Sequence, residues 1–251
     1  MTPITLPAEV PDGMHLCGSW YAVPTGDQDA VLEAFGLAEP EPVTLRAGAE
    51  AWKRDQHVWD RRPHARCSRV FVSPVLDGWT LVFGHSSPDA HEIADGGEAD
   101  FRRVVRRRCT GLSRRFGAAH WYAMNCGDDW TGWCIAEGGE VVRHYDADLA
   151  ETGGDDGPGH PAEEGYLLPH QRPLPQDAVD TLDLDDPHAF IAGYLRLREE
   201  LGVPDTCYAK DIAARLSVDP AALGPHTRVA GRGVLALTAC GREHGIPGGE
   251  L

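Results

Sequence analysis

The chain has 251 residues, 42% hydrophobic and 25% charged, enough to bury a proper core within one domain spanning 1–251. Its 39 acidic residues outnumber 23 basic ones, and the resulting net charge of −16 repels phosphate, which argues against nucleic acid as a partner. No apolar run approaches the ~20 residues of a membrane helix, and residues 1–12 lack the basic start and apolar core of a signal peptide, so no membrane and a cytoplasmic location are expected.

Residues 16–23 form a short aromatic strand, followed by a helix that Thr25 or Asp27 caps and Gly36 stops. Pro40 and Pro42 mark a turn before a short strand at 43–45, and Trp52 and Trp59 share one face of a polar helix closed by Pro63. Residues 69–73 and 79–84 read as a hairpin so apolar that both strands belong in the centre of a sheet covered on both faces. His85 lies in the loop that leaves it. Residues 98–116 form a helix that buries Phe101, Val104, Val105, Leu112 and Phe116 and turns its arginines to solvent.

Three strands follow at 120–126, 130–137 and 141–146, joined by Gly127-Asp128-Asp129 and Gly138-Gly139. An acidic, Gly-rich loop near 148–161 is too polar to pack and is expected to be flexible. Helices at 186–201 and 205–216, a helical turn at 219–224 and a strand at 233–238 complete the chain. Hairpins in place of β-α-β units indicate an α+β fold, a mainly antiparallel sheet packed with a few helices.

The three-stranded block carries the chemistry. Alternation puts His120, Tyr122, Met124 and Cys126 on one face and Trp121, Ala123 and Asn125 on the other, while Val142, His144 and Asp146 share a face of the third strand. If the two histidine faces coincide, His120, Tyr122, His144 and Asp146 converge as a proton-shuttling group; otherwise one imidazole is a core residue and the other faces solvent. His85 is a further acid–base candidate because an apolar strand ends there in a loop, although a solvated loop is the simpler reading. Trp79, Trp121, Trp133 and Tyr145 are the candidate walls of a substrate cavity.

Other chemistries find little support. His57, Asp60 and His64 have helical spacing, and Cys126, Cys134 and His144 form a mixed set, but neither shows the paired spacing of known metal sites, so no metal is expected. The seven cysteines are scattered and lack a C-x-x-C pair, which suggests buried reduced thiols. Gly231-x-Gly233 precedes a strand rather than a helix, and neither a phosphate-cradling loop nor a G-x-S-x-G elbow is present, so no cofactor is expected.

Three stretches carry a resemblance: Phe71-Val72-Ser73-Pro74 through Val82; Leu112-Ser113-Arg114-Arg115-Phe116-Gly117 through Val141-Val142-Arg143; and Leu216 to Thr238 with Ala222-Leu223-Gly224-Pro225. Together they resemble a widespread group of stand-alone actinobacterial proteins, most without an assigned function. One suggested relative is the small cofactor-independent macrocyclase of alchivemycin biosynthesis. That resemblance implies loss of water from a polyketide–amino-acid hybrid and conjugate addition that closes a ring; it transfers no catalytic position. An enzyme on a small-molecule substrate is thus one expectation. An acidic immunity-type protein that masks a basic toxin or other protein partner is the second, and a non-catalytic ligand-binding protein the third.

Overall fold

The computed structural model describes residues 10–56, 69–84, 98–125, 127, 130–154, 157–172 and 174–245. In chain order they form β1 (Gly18–Val23), α1 (Gln28–Ala34), β2 (Ala38–Val43), α2 (Leu45–Gln56), β3 (Arg69–Val72), β4 (Val75–Leu76), β5 (Thr80–Phe83) and α3 (Glu98–Phe116). The meander β6 (Ala118–Asn125), β7 (Trp130–Glu137) and β8 (Glu140–Asp146) follows, then α4 (Ala147–Glu151), α5 (Gln176–Val179), α6 (Pro187–Glu200), α7 (Ala209–Leu216), β9 (Val229–Ala230), β10 (Gly233–Leu237) and α8 (Ala239–His244).

Eight strands make one sheet in the order β2-β10-β3-β5-β1-β6-β7-β8, with every neighbouring pair antiparallel. The fold is α+β, as the hairpin pattern implies. Period-two alternation splits the side chains between two cores. On the front face Trp20, Phe71, Phe83, Tyr122, Trp133 and Tyr145 pack with Leu45 and Trp52 of α2 and with Ile212 and Ala213 of α7. On the back face Tyr21, Val82, Trp121, Cys134 and Val234 pack with Val31 and Leu32 of α1 and with Val105 and Leu112 of α3. The expected central, doubly covered hairpin is β3 and β5.

Pro40 and Pro42 lie within β2 and not in a turn; β2 is an edge strand, where a missing amide hydrogen costs little. The segment near 148–161 begins as α4, capped by Asp146, and closes in a 3-10 turn at Pro161–Glu163. The apolar stripe of α6 is only partly covered: Phe190, Tyr194 and Leu197 are half-buried, whereas Ile191 and Leu195 are 56% and 59% exposed and the C-cap Leu201 is 48% exposed. Cys17, Cys109, Cys134 and Cys207 are free thiols, but Cys240 is disulfide-bonded, so the cysteines are not uniformly reduced. Among the described residues no helix is long and apolar enough to cross a membrane.

Candidate functional site

Register decides which meander residues meet. β6 pairs with β7 so that His120 faces Ile135 and Tyr122 faces Trp133. The β7–β8 turn is Gly138-Gly139, both at positive φ (55° and 95°), the conformation a two-residue hairpin needs. Next to it Ala136 pairs with Val141, but beyond it Ile135 pairs with Arg143 and Trp133 with Tyr145. Val142 is therefore an extra residue on β8, and one extra residue exchanges the faces of everything that follows. Arg143 and Tyr145 point to the front with His120 and Tyr122; His144 and Asp146 point to the back with Trp121 and Cys134. The four-residue convergence does not form.

The front face holds a hydrogen-bonded chain. Tyr122 Oη lies 3.0 Å from His120 Nδ1 and 2.9 Å from Ser217 Oγ, and Ser217 caps the C-terminus of α7. The Ser217 hydroxyl also reaches the Ala213 carbonyl at 3.4 Å. Two proton arrangements satisfy this geometry. When Ser217 donates to Ala213 it accepts from Tyr122, and Nδ1–H of His120 donates to the phenol oxygen, leaving Nε2 as acceptor. When Ser217 instead donates to Tyr122, the phenol donates to Nδ1 and Nε2 carries the hydrogen. The chain thus accommodates either imidazole tautomer while keeping Nδ1 and both hydroxyls paired.

Burial, reinforced by His160, lowers the His120 pKa to about 4, and burial raises that of Tyr122 despite the bond from Ser217. At neutral pH the site is an uncharged imidazole beside a protonated phenol. Trp79, half-buried, lies 5.2 Å from the imidazole, ring to ring, and Trp20 rests on Tyr122 at 5.3 Å. Aromatic contacts continue from Trp20 through Phe83 to Trp52. Trp52 borders a cavity of about 480 Å3 whose wall also carries Met14, His15, Leu45 and Glu50.

Beside this chain lies a second polar group centred on Glu163. Its Oε1 accepts from Trp133 Nε1 at 2.8 Å and from Arg143 Nε at 2.7 Å, and its Oε2 accepts from the His160 amide at 3.1 Å. Tyr145 stacks on Trp133 at 4.3 Å and its hydroxyl meets His170 Nδ1 at 3.1 Å. Both carboxylate oxygens of Glu163 are engaged and buried, so this group fastens the 3-10 turn to the sheet and leaves Trp133 and Tyr145 packed on each other.

On the back face burial lowers the His144 pKa to about 3, helped by Arg102, Arg106 and Arg143. His144 Nδ1 and Trp121 Nε1 are buried without hydrogen-bond partners. Trp121 packs edge-on against Phe101 of α3 at 5.4 Å. Asp146 accepts from Trp130 Nε1 and the Asp148 amide, each at 3.1 Å, so it is committed to capping α4. His85, His57, Asp60, His64 and Cys126 lie outside the described residues.

Of the expected site, then, the structure brings together His120, Tyr122 and Trp79, with Trp133 and Tyr145 further across the same face. Ser217, Glu163, His160 and His170 were missed, since each reaches the sheet from a distant connection that no local pattern announces. Among the described residues no group of three or more His, Cys, Asp or Glu could hold a metal ion. No protein-family model, curated protein or solved structure matches the chain.

Proposed function

We propose that this protein is a cofactor-independent enzyme of natural-product biosynthesis that moves protons on a small organic substrate with His120, positioned by Tyr122 and Ser217. The observation that carries the reading is the chain His120 Nδ1–Tyr122 Oη–Ser217 Oγ, at 3.0 and 2.9 Å, set among indole rings. A neutral imidazole whose Nδ1–H donates to the phenol can take a substrate proton at Nε2 and return that same proton to the departing hydroxyl, while the two hydroxyls hold the ring in place.

The reaction class is dehydration followed by conjugate addition on a polyketide-like substrate. Elimination takes a C–H proton and a hydroxyl away as water and leaves a conjugated acceptor. An enolate at the far end of the same molecule then adds to it, and the new enolate regains a proton. Neither stage needs an oxidant or an activated phosphate. Holding both ends together in a cavity recovers on the order of 7–11 kcal/mol of the barrier to ring closure. His120 is only 3% exposed, so this reading requires the neighbouring Trp79 ring to swing aside and open a space for substrate.

The test is turnover of a linear, tetramic-acid-headed polyene by His120→Gln and Tyr122→Phe. Each should lose ~100-fold or more in kcat. Near-normal turnover by both variants overturns the mechanism.

A second reading has its own observation. The exposed Leu184, Ile191, Leu195 and Leu201 are interspersed along the chain with Asp183, Asp185, Asp186, Glu199 and Glu200, so solvent-facing apolar and acidic side chains occur together on a chain of net charge −16. That surface suits a basic protein partner, as in an immunity-type protein masking a toxin. Under this reading the chain neutralises a secreted basic nuclease at equimolar ratio and Ile191→Asp with Leu201→Asp abolishes the effect, while His120→Gln does not. Full neutralisation by the double aspartate variant would remove α6 as the contact.

A further inference from the structure

We infer that the cleft between α6 and α7 is a binding site for a small organic carboxylate, held by Arg198. The cleft encloses about 400 Å3 and is lined by Tyr166, Arg172, Tyr194, Arg198, Tyr208 and Lys210 among others. Space of this size suits a compact molecule of roughly a dozen heavy atoms, at the small end of ordinary ligand cavities.

Arg198 is the decisive residue. It lies in the last turn of a helix whose other side chains are exposed or half-buried, yet it is itself only 6% exposed. Its Nη2 is buried and has no hydrogen-bond partner. A guanidinium cannot shed its charge near neutrality, and a buried donor left unpaired is costly, so such a group persists where something outside the chain completes it. The Tyr194 ring, 6.0 Å from the guanidinium carbon, holds it from one side. Arg198 lines the cleft, so a small turn of its side chain would bring the guanidinium to the planar, two-oxygen face of a carboxylate.

The surroundings define the rest of the ligand. Lys210 stands in the first turn of α7, where the helix dipole also favours an anion. Tyr166, Tyr194 and Tyr208 offer ring faces for an apolar or aromatic body. Asp205 and Asp211 line the same cleft, and Asp211 Oδ2 accepts from the Tyr208 amide at 2.9 Å. Two carboxylates on the rim oppose a doubly charged phosphate more than a monoanion, which selects the carboxylate. The cleft wall is fixed by backbone bonds from Leu167 N to Asp205 O (2.8 Å) and from Cys207 N to Leu167 O (2.6 Å). Residues 210 and 217 are separated along α7 by about 10 Å, so this site is distinct from the His120–Tyr122–Ser217 chain and stands independently of the catalytic reading.

Calorimetric titration of the full chain with benzoate tests the assignment, with inorganic phosphate and benzylamine as comparison probes. Benzoate should bind and raise the melting temperature, phosphate should bind more weakly, and benzylamine should not compete. Arg198→Gln should weaken benzoate roughly tenfold or more, about 1.4 kcal/mol, and should lose the thermal shift. It should remain folded, because the substitution keeps most of the side-chain volume and removes a buried donor that has no partner. Tyr194→Leu provides a second variant and should weaken benzoate several-fold without touching the guanidinium. The inference is overturned if the unmodified chain fails to bind benzoate, if both variants bind it as well as the unmodified chain does, or if phosphate binds more tightly than benzoate.

Discussion

His120 and His144 occupy opposite faces of one sheet and carry the same thermodynamic signature. Unfolded, each takes up a proton near pH 6.5; folded, burial defers this to about 4 for His120 and about 3 for His144. Between those limits the unfolded chain binds more protons, so stability present above pH 6.5 is lost as the pH falls toward 4, by a few kcal/mol in all. Urea denaturation from pH 7 to pH 4 should record that slope, and His120→Gln with His144→Gln should flatten it. An unchanged slope in the double variant would place the acid sensitivity elsewhere. The buried Glu163–Arg143 pair carries a larger single-residue risk. Glu163→Ala removes the buried carboxylate to which Arg143 Nε and Trp133 Nε1 donate and should cost ~3–5 kcal/mol by denaturant titration, and adding Arg143→Met should recover part of it. If the double variant is no more stable than the single one, the loss comes from the 3-10 turn instead. Neither partner was legible in the sequence, since Trp133, Arg143 and Glu163 meet only through strand register and a distant connection.

Elements were legible where local chemistry writes them. The boundaries of α3 follow from its apolar period, and the meander follows from its glycines and aromatic strands. What the pattern hid was a single residue. Without Val142 as an extra residue the register set by Gly138-Gly139 would continue, placing His144 opposite Trp133 on the front face, where convergence was expected. The bulge instead brings Arg143 to Glu163 and Tyr145 to Trp133. Deleting Val142 should therefore remove only the bulge, leaving Arg143 opposite Ile135 and Tyr145 opposite Trp133, so both contacts should survive and circular dichroism should show a near-native melt; an unfolded or far less stable chain would mean that the bulge itself is needed to aim the strand. Helix α2 hides a similar sign reversal. Gly48 is a poor helix former, and alanine should gain up to ~1 kcal/mol by propensity alone. A Cβ there would run into the Phe71 ring, so Gly48→Ala should destabilise by ~1–3 kcal/mol net, and Phe71→Leu should relieve part of it. A more stable Gly48→Ala would show that the ring has room to move.

At the scale of the molecule, fold class emerged from the run of hairpins, and the two-faced cover of the sheet from the continuous apolar strands β3 and β5. The place of α6 did not emerge, because helical periodicity reports an apolar stripe and not what lies against it. In this chain part of the stripe meets solvent: Ile191 and Leu201 are 56% and 48% exposed, whereas Leu81 and Ile212 are fully buried in the front core. The two kinds of position should respond differently to substitution. Truncating Leu81 or Ile212 to alanine removes packed methyl groups and should cost ~2–5 kcal/mol. Ile191→Asp and Leu201→Asp add charge where water already sits, and each should change stability by no more than ~0.5 kcal/mol. Denaturant titration of all four variants separates the cases. Core-sized losses at Ile191 and Leu201 would mean that α6 is held against the body of the protein, and the exposed strip would then cease to be available to any partner.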